Sequence, residues 1–307
     1  MIINLKSPIL VLGAGGFVGS NLFHKLRAVR SDVFGTYRAS YSRLNMLDNT
    51  IQADLMHHAR AIFEYVKPRT IFDCIAYGGY LTQTDAQQIY QTNVLLKEKL
   101  LALAHEFKCD YIHGGSSSEY GVILDRPTED MALRPHTHYA VAKGAAAGMI
   151  HFYGKHRDLR CANLRLYAIY GPGEREDNRL IPQIMRAAAR GEYPPLANSK
   201  ITRDFIHVDD VCSAYVSAAA YLQPPQFGES FNIGTGIPTT LWDLAYLVKD
   251  IFDVPGYPVF SDRNDRTYDF PGVWCANPEK ADVYLDWKAR VTLRDGLMRL
   301  KRYHEQN

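Results

Sequence analysis

The chain carries almost no net charge: its 307 residues hold 35 Lys+Arg against 33 Asp+Glu, a formal balance of +2. No basic excess is left over for a phosphate backbone, so nucleic acid is not an expected partner. No acidic excess marks a solvated, disordered chain either. No apolar run approaches the roughly 20 residues that cross a bilayer, so no membrane segment is expected. The opening MIINLKSPILVLGAGG passes from its apolar stretch straight into glycines rather than a cleavage site, and a cytoplasmic location is expected. Cysteines are few, five in all, with no CxxC and no His/Cys ligand spacing. Neither a disulfide framework nor a metal site is expected. Cys74, Cys109 and Cys161 read as small buried hydrophobes. Internal repeats and low-complexity tracts are absent too. What remains is ordinary globular composition, 47% hydrophobic and 22% charged, on a chain long enough to bury a large core.

The first half alternates short apolar runs with longer amphipathic stretches. Residues 8–12, 32–37, 70–76, 110–113 and 160–169 read as strands. Residues 17–30, 59–66, 89–107 and 139–156 have helical spacing. Strand–helix alternation at this pitch predicts an α/β fold, a Rossmann-type doubly wound parallel sheet. From Gly171 the rhythm loosens into GPGERED and EYPPLANS, with helical stretches at 180–190, 208–222, 240–252 and 292–303. Residues 1–170 are therefore expected to form a dinucleotide-binding domain, its sheet completed by segments near 203–208 and 230–233. Residues 171–307 are expected to form mainly a smaller α/β substrate lobe.

Residues 13–19 read GAGGFVG, directly after the first strand and opening the first helix. Gly13 would make the tight turn, Gly15 and Gly16 would let backbone approach a pyrophosphate, and Gly19 would let helix pack on strand. The helix N-terminus adds free N–H groups and a positive dipole end. Dinucleotide binding follows. NAD sites place a carboxylate about 20 residues further on; here that region reads Phe34-Gly35-Thr36-Tyr37-Arg38, with none. Arg38 could face a 2′-phosphate, which favours NADP(H) and leaves NAD(H) open. Asp54 and Leu55 could hold the adenine edge, or Asp54 could simply cap the next helix.

Tyr139 and Lys143 form YxxxK, one helical turn apart on one face. An ammonium beside a phenol can lower its pKa and make it a usable acid or base near neutral pH. Upstream lies Ser116-Ser117-Ser118-Glu119-Tyr120-Gly121, at the end of a strand. A serine there could hydrogen-bond a substrate oxygen, or merely satisfy loop backbone.

Taken in order, GAGGFVG, SSSEYG, YAVAK, LRLYAIYGPG and RDFIHVDD resemble the extended short-chain dehydrogenase/reductase family, in its nucleotide-sugar epimerase, dehydratase and reductase branch. The resemblance runs from Ile9 to about Leu300. It implies a catalytic set of Ser116, Tyr139 and Lys143. It implies cofactor contacts from Phe17, Val18, Ala76, Asn93 and Tyr167 beside the glycine turn. Its substrate would be a nucleotide-diphosphate sugar. Arg203 matches a residue that often reaches the nucleotide; beside it, Arg179 and Arg266 could serve as forked donors for phosphate or base or be ordinary surface arginines. Tyr80 and Thr82 could touch the hexose or serve only the loop, and Ser117 is a further substrate candidate. The Ala145–Ala147 stripe with Gly148 and Met149 matches a helix that often pairs across a dimer in this family, so a homodimer is expected.

Departures from the family pattern narrow the reaction. The acidic pair of 4,6-dehydratases would fall on Ser117 and Ser118, and Glu119 stands one place late. The extra cysteine of the 3,5-epimerising members is missing as well. The strand end Arg165-Leu-Tyr-Ala168 has alanine where relatives often carry a diphosphate-binding asparagine. These departures favour hydride chemistry at one carbon, C4, and leave 4,6-dehydration as the less favoured alternative. The Arg38 reading favours a 4-ketoreductase over a 4-epimerase with bound NAD. A non-catalytic dinucleotide-binding protein is the reading from another class, and the intact Ser–Tyr–Lys set argues against it.

Overall fold

The computed structural model describes residues 1–38, 48–122, 125–174, 179–261 and 273–306. The first half builds β1 (Ile9–Leu12), α1 (Phe17–Arg27), β2 (Val33–Tyr37), β3 (Thr50–Gln52), α2 (Leu55–Val66) and β4 (Thr70–Asp73). A long helix follows, α3 (Ala86–Tyr90) passing through a π turn (Gln91–Leu95) into α4 (Leu96–Glu106). Then come β5 (Asp110–Gly114), α5 (His138–His156), β6 (Cys161–Leu166) and β7 (Ala168–Tyr170). The second half adds α6 (Leu180–Ala188), β8 (Thr202–Arg203), β9 (Phe205–His207), α7 (Val208–Tyr221) and β10 (Ser230–Ile233). It closes with β11 (Thr239–Thr240), α8 (Leu241–Phe252), α9 (Glu279–Leu285) and α10 (Leu293–Gln306).

Seven strands form one sheet in the order β3-β2-β1-β4-β5-β6-β10, parallel throughout. Side chains alternate across a strand, so a sheet buried on both faces needs apolar residues at every position. Ile9, Val11, Phe72, Ile112 and Leu164 point into one core with Phe23 of α1 and Tyr215 of α7. Leu10, Leu12, Ile71, Tyr111 and Cys161 point into the other, against Phe63 of α2, Leu100 of α4 and Ile150 of α5. Each large apolar side chain so buried contributes about 1.5–3 kcal/mol. Helix ends follow local chemistry. Thr137 Oγ1 accepts from the Ala140 N–H and starts α5, while α2 ends at Lys67 in the left-handed conformation, ahead of Pro68.

Two expectations are corrected. Residues 160–169 do not form one strand. The Tyr167 N–H still donates to Ile233 of the sheet, but the Ala168 N–H donates to Asp204, and β7 leaves to pair with β9. For the same reason residues 203–208 do not complete the main sheet. Phe205–His207 is taken by β7 and Thr202–Arg203 by β11, and among the described residues of the second half only β10 joins the sheet. A third core gathers α6, α8 and α10 around Ile184, Leu244, Val248 and Leu297. Among the described residues no helix is long and apolar enough to cross a membrane.

Candidate active site

The strand order reverses between β1 and β4, the point where a doubly wound sheet opens a crevice at its strand ends. The glycine turn follows β1 at that crevice. Gly13 adopts a φ of +76°, and its N–H donates to Thr36 Oγ1 at 3.3 Å. A Cβ on Gly19 would fall 2.2 Å from the Gly13 carbonyl oxygen, so α1 can sit on the turn only with glycine there. Gly16 caps α1 and supplies no side chain, so the N–H groups of the first turn, from Phe17 and Val18 on, face out of the helix end. Gly15 is half-buried and Gly16 exposed. This bare, positive cradle fits the pyrophosphate of a dinucleotide.

Around it the sequence candidates separate. Arg38 is exposed immediately after β2. Asp54 takes the alternative reading: its Oδ1 accepts from the Met56 N–H at 2.9 Å and caps α2, while Leu55 packs inward beneath the sheet. Ala76 and Thr82 are exposed on the loop after β4. Asn93 is buried in the π turn and bonds the Tyr77 backbone. The Tyr167 hydroxyl is buried and has no hydrogen-bond partner among the described residues.

Tyr139 lies near Ser116, whose Oγ is hydrogen-bonded to Ser118 Oγ at 2.8 Å and accepts the Ser118 N–H at 3.2 Å. Burial pushes the phenol up to about 12, and the nearby Ser116 hydroxyl and the Arg179 charge only partly oppose this. Lys143 is buried beside Tyr139. Its ammonium is 5.8 Å from the Tyr139 ring centre and donates to the Gly114 carbonyl at 2.6 Å.

Glu119 is engaged rather than free. Its Oε1 accepts the Ser116 N–H at 2.9 Å and its Oε2 accepts Arg165 Nε at 2.8 Å, both side chains being buried. Asn163 donates to both oxygens. Gly115 makes room for this, since a Cβ there would lie 2.5 Å from Glu119 Oε1. On the substrate side the Arg179 guanidinium is 6.0 Å from the Tyr80 ring and pairs with Glu174 at 2.9 Å. Arg203 lies 5.7 Å from the Trp274 ring, and Trp274 Nε1 donates to Ser117 Oγ at 3.1 Å. Arg266 lies outside the described residues. Among those described, no His, Cys, Asp or Glu group could hold a metal.

Sequence reasoning missed Trp274, the Glu119–Arg165 pair and a buried cluster behind the β4 end. In that cluster Asp73 accepts from Lys97 at 2.8 Å, Tyr111 at 2.7 Å and His113 Nδ1 at 2.7 Å. A hint was present, since Lys97 stands one turn after Asn93 in an apolar helix.

A doubly wound sheet, a glycine cradle at its switch point and a Ser–Tyr pair at the neighbouring strand end define a nucleotide-dependent oxidoreductase of the extended short-chain type. Residues 9–234 match the NAD dependent epimerase/dehydratase family, and the chain belongs to it. It is 28% identical over 305 residues to a UDP-glucose 4-epimerase of Mycolicibacterium smegmatis, covering 94% of this chain and 95% of that one. Its fold matches the Thermotoga maritima UDP-glucose 4-epimerase with UDP-glucose at a TM-score of 0.86 and 25% identity, over 97% of this chain and 98% of that one. MoeE5 in complex with UDP-glucuronic acid and NAD matches at 0.85 and 26% identity, over 98% and 99%.

Proposed function

We propose that this chain oxidises and reduces C4 of a nucleotide-activated hexose and acts as a 4-epimerase. The supporting observation is the contrast between Tyr139 and Glu119. The phenol lies beside Ser116 and the loop residues Gly78 and Gly79, whereas Glu119 has both oxygens committed to Ser116, Asn163 and Arg165. A dehydratase needs a second acid–base group to move protons at further carbons. Ser117 and Ser118 offer none, so the chemistry stays at one carbon.

Each residue then has a task. The glycine cradle holds the pyrophosphate. Ser116 Oγ holds the C4 oxygen, and Tyr139 passes the proton to and from it. A bound nicotinamide dinucleotide supplies the hydride acceptor and donor. With its pKa at about 12 the resting phenol keeps its proton. Positive charge must therefore act on it before it can serve as base, and the Lys143 ammonium, 5.8 Å from its ring centre, and the Arg179 guanidinium are the candidates.

A second reading, reduction of a 4-keto nucleotide sugar by exchangeable NADPH, is favoured by one feature. The end of β2 offers Arg38 and no carboxylate, and the carboxylate of Asp54 is engaged in a helix cap. Turnover separates the two. The epimerase converts UDP-galactose to UDP-glucose with no added cofactor and releases NAD on denaturation. The reductase consumes NADPH with a 4-keto sugar nucleotide and does nothing without it. In either case Tyr139→Phe lowers kcat roughly a thousandfold. Undiminished turnover by that variant overturns both readings.

We further propose a homodimer formed through the outward face of α5. Val141, Ala145, Gly148 and Phe152 are exposed along it at spacings of four, three and four residues, the period of a helix seam.

A further inference from the structure

Asn93 and Lys97 lie one turn apart on the helix that crosses behind β4, and both are buried. Each grips the backbone of the loop leaving β4. Asn93 Oδ1 accepts the Tyr77 N–H at 3.3 Å, and its Nδ2 donates to the Tyr77 carbonyl at 2.6 Å. Lys97 Nζ donates to the Ile75 carbonyl at 2.9 Å and to Asp73 Oδ1 at 2.8 Å. That same Oδ1 accepts the Ile75 N–H at 3.1 Å. Ile75 and Tyr77 are thus held by both N–H and C=O, as two rungs two residues apart.

The strip so held touches both halves of the chemistry. A Cβ on Gly13 would meet Ile75 Cγ1 at 2.9 Å and Ile75 N at 3.2 Å, so the glycine turn rests directly on this residue. A Cβ on Gly78 would lie 3.2 Å from the Tyr139 ring, and one on Gly79 3.6 Å from its hydroxyl. Residues 75–79 therefore bridge the cofactor cradle and the phenol. Stability alone gives the ion pair no purpose, because a buried pair is often replaced by apolar residues without loss. Placement does give it one.

We propose that Asp73 and Lys97 are positioning residues for the reaction. With Asn93 they fix residues 75–79, and so the spacing between the dinucleotide cradle and the Tyr139 hydroxyl. For the sugar chemistry this rests on the function proposed above; for nucleotide binding it does not.

The test is the double variant Asp73→Asn/Lys97→Met. The asparagine would keep an acceptor for the Ile75 N–H, and the methionine would fill the lysine's volume but donate nothing. Hydrogen exchange, read without any sugar, is expected to rise about tenfold in a peptide spanning residues 74–80 while β1 and β5 stay protected. NADH and NADPH affinity, also read without sugar, is expected to fall about tenfold. Turnover should fall about a hundredfold in kcat with KM for the sugar nucleotide nearly unchanged. Wild-type exchange at 74–80, wild-type nucleotide affinity, or an equal rise in exchange across all strands overturns the proposal. If the double variant does not fold, Asp73→Asn alone is read by the same exchange and titration. Failure of the sugar reading would silence turnover but leave both sugar-free measurements intact.

Discussion

At the scale of single residues the buried groups around the β4 end predict a pH response. Burial lowers His113 to about 4, against the pull of the Asp73 carboxylate that its Nδ1–H bonds. Its ordinary value is about 6.5. Between these values the unfolded chain binds a proton that the folded chain refuses. Stability present above pH 6.5 is therefore lost as pH falls towards 4, by about 3 kcal/mol from this group. Asp73, held well below the carboxylate range by Lys97 and His113, extends the loss to lower pH. Urea midpoints measured from pH 7.5 to 4.5 should fall for the wild type and fall less for His113→Asn. Parallel curves would show that His113 does not titrate in this way. Tyr139 departs from ordinary behaviour in the opposite sense. Its shift to about 12 comes from burial, an effect that a YxxxK spacing cannot convey, because desolvation depends on the loop laid across it.

At the scale of elements, what could be read in advance was local. The glycine turn needed only a strand, its glycines and a helix in sequence, and α5 needed only the helical spacing of residues 139–156. What could not be read was long-range. Asp73 and Lys97 are 24 residues apart, and Glu119 and Arg165 are 46 apart. Nothing in either neighbourhood announces the other. The end of β6 was misjudged because Tyr167 and Ala168 change partners between Ile233 and Asp204 within two residues, with no break in apolar character. The legible part carries its own prediction. In Gly19→Ala the new methyl would meet backbone, the Gly13 carbonyl oxygen, which cannot swing aside. Overpacking of this kind costs about 1–3 kcal/mol. The variant should melt several degrees lower and bind NADH and NADPH more weakly in a fluorescence titration. Unchanged binding would mean that α1 does not form the cradle.

At the scale of the whole molecule, α5 packs one face against the core it shares with α2 and α4 and turns its other face outward. That face contains an anomaly. Ala146 and Ala147 pack inward, but Gly148 does not, and a Cβ built on it would find no atom within 4 Å. Glycine inside a helix costs about 1 kcal/mol relative to alanine, and no contact among the described residues offsets it. A second copy laid against Val141, Gly148 and Phe152 would, because bare backbone lets two helices approach closely. The sign of one substitution then decides the matter. If the face is open to solvent, Gly148→Ala raises the melting temperature and leaves the mass unchanged. If it is the seam of a dimer, Gly148→Ala weakens association, and Gly148→Leu or Val141→Arg yields monomer in sedimentation or light scattering at micromolar concentration. A wild-type chain that sediments as monomer, or a Gly148→Ala variant that is only stabilised, rules the dimer out.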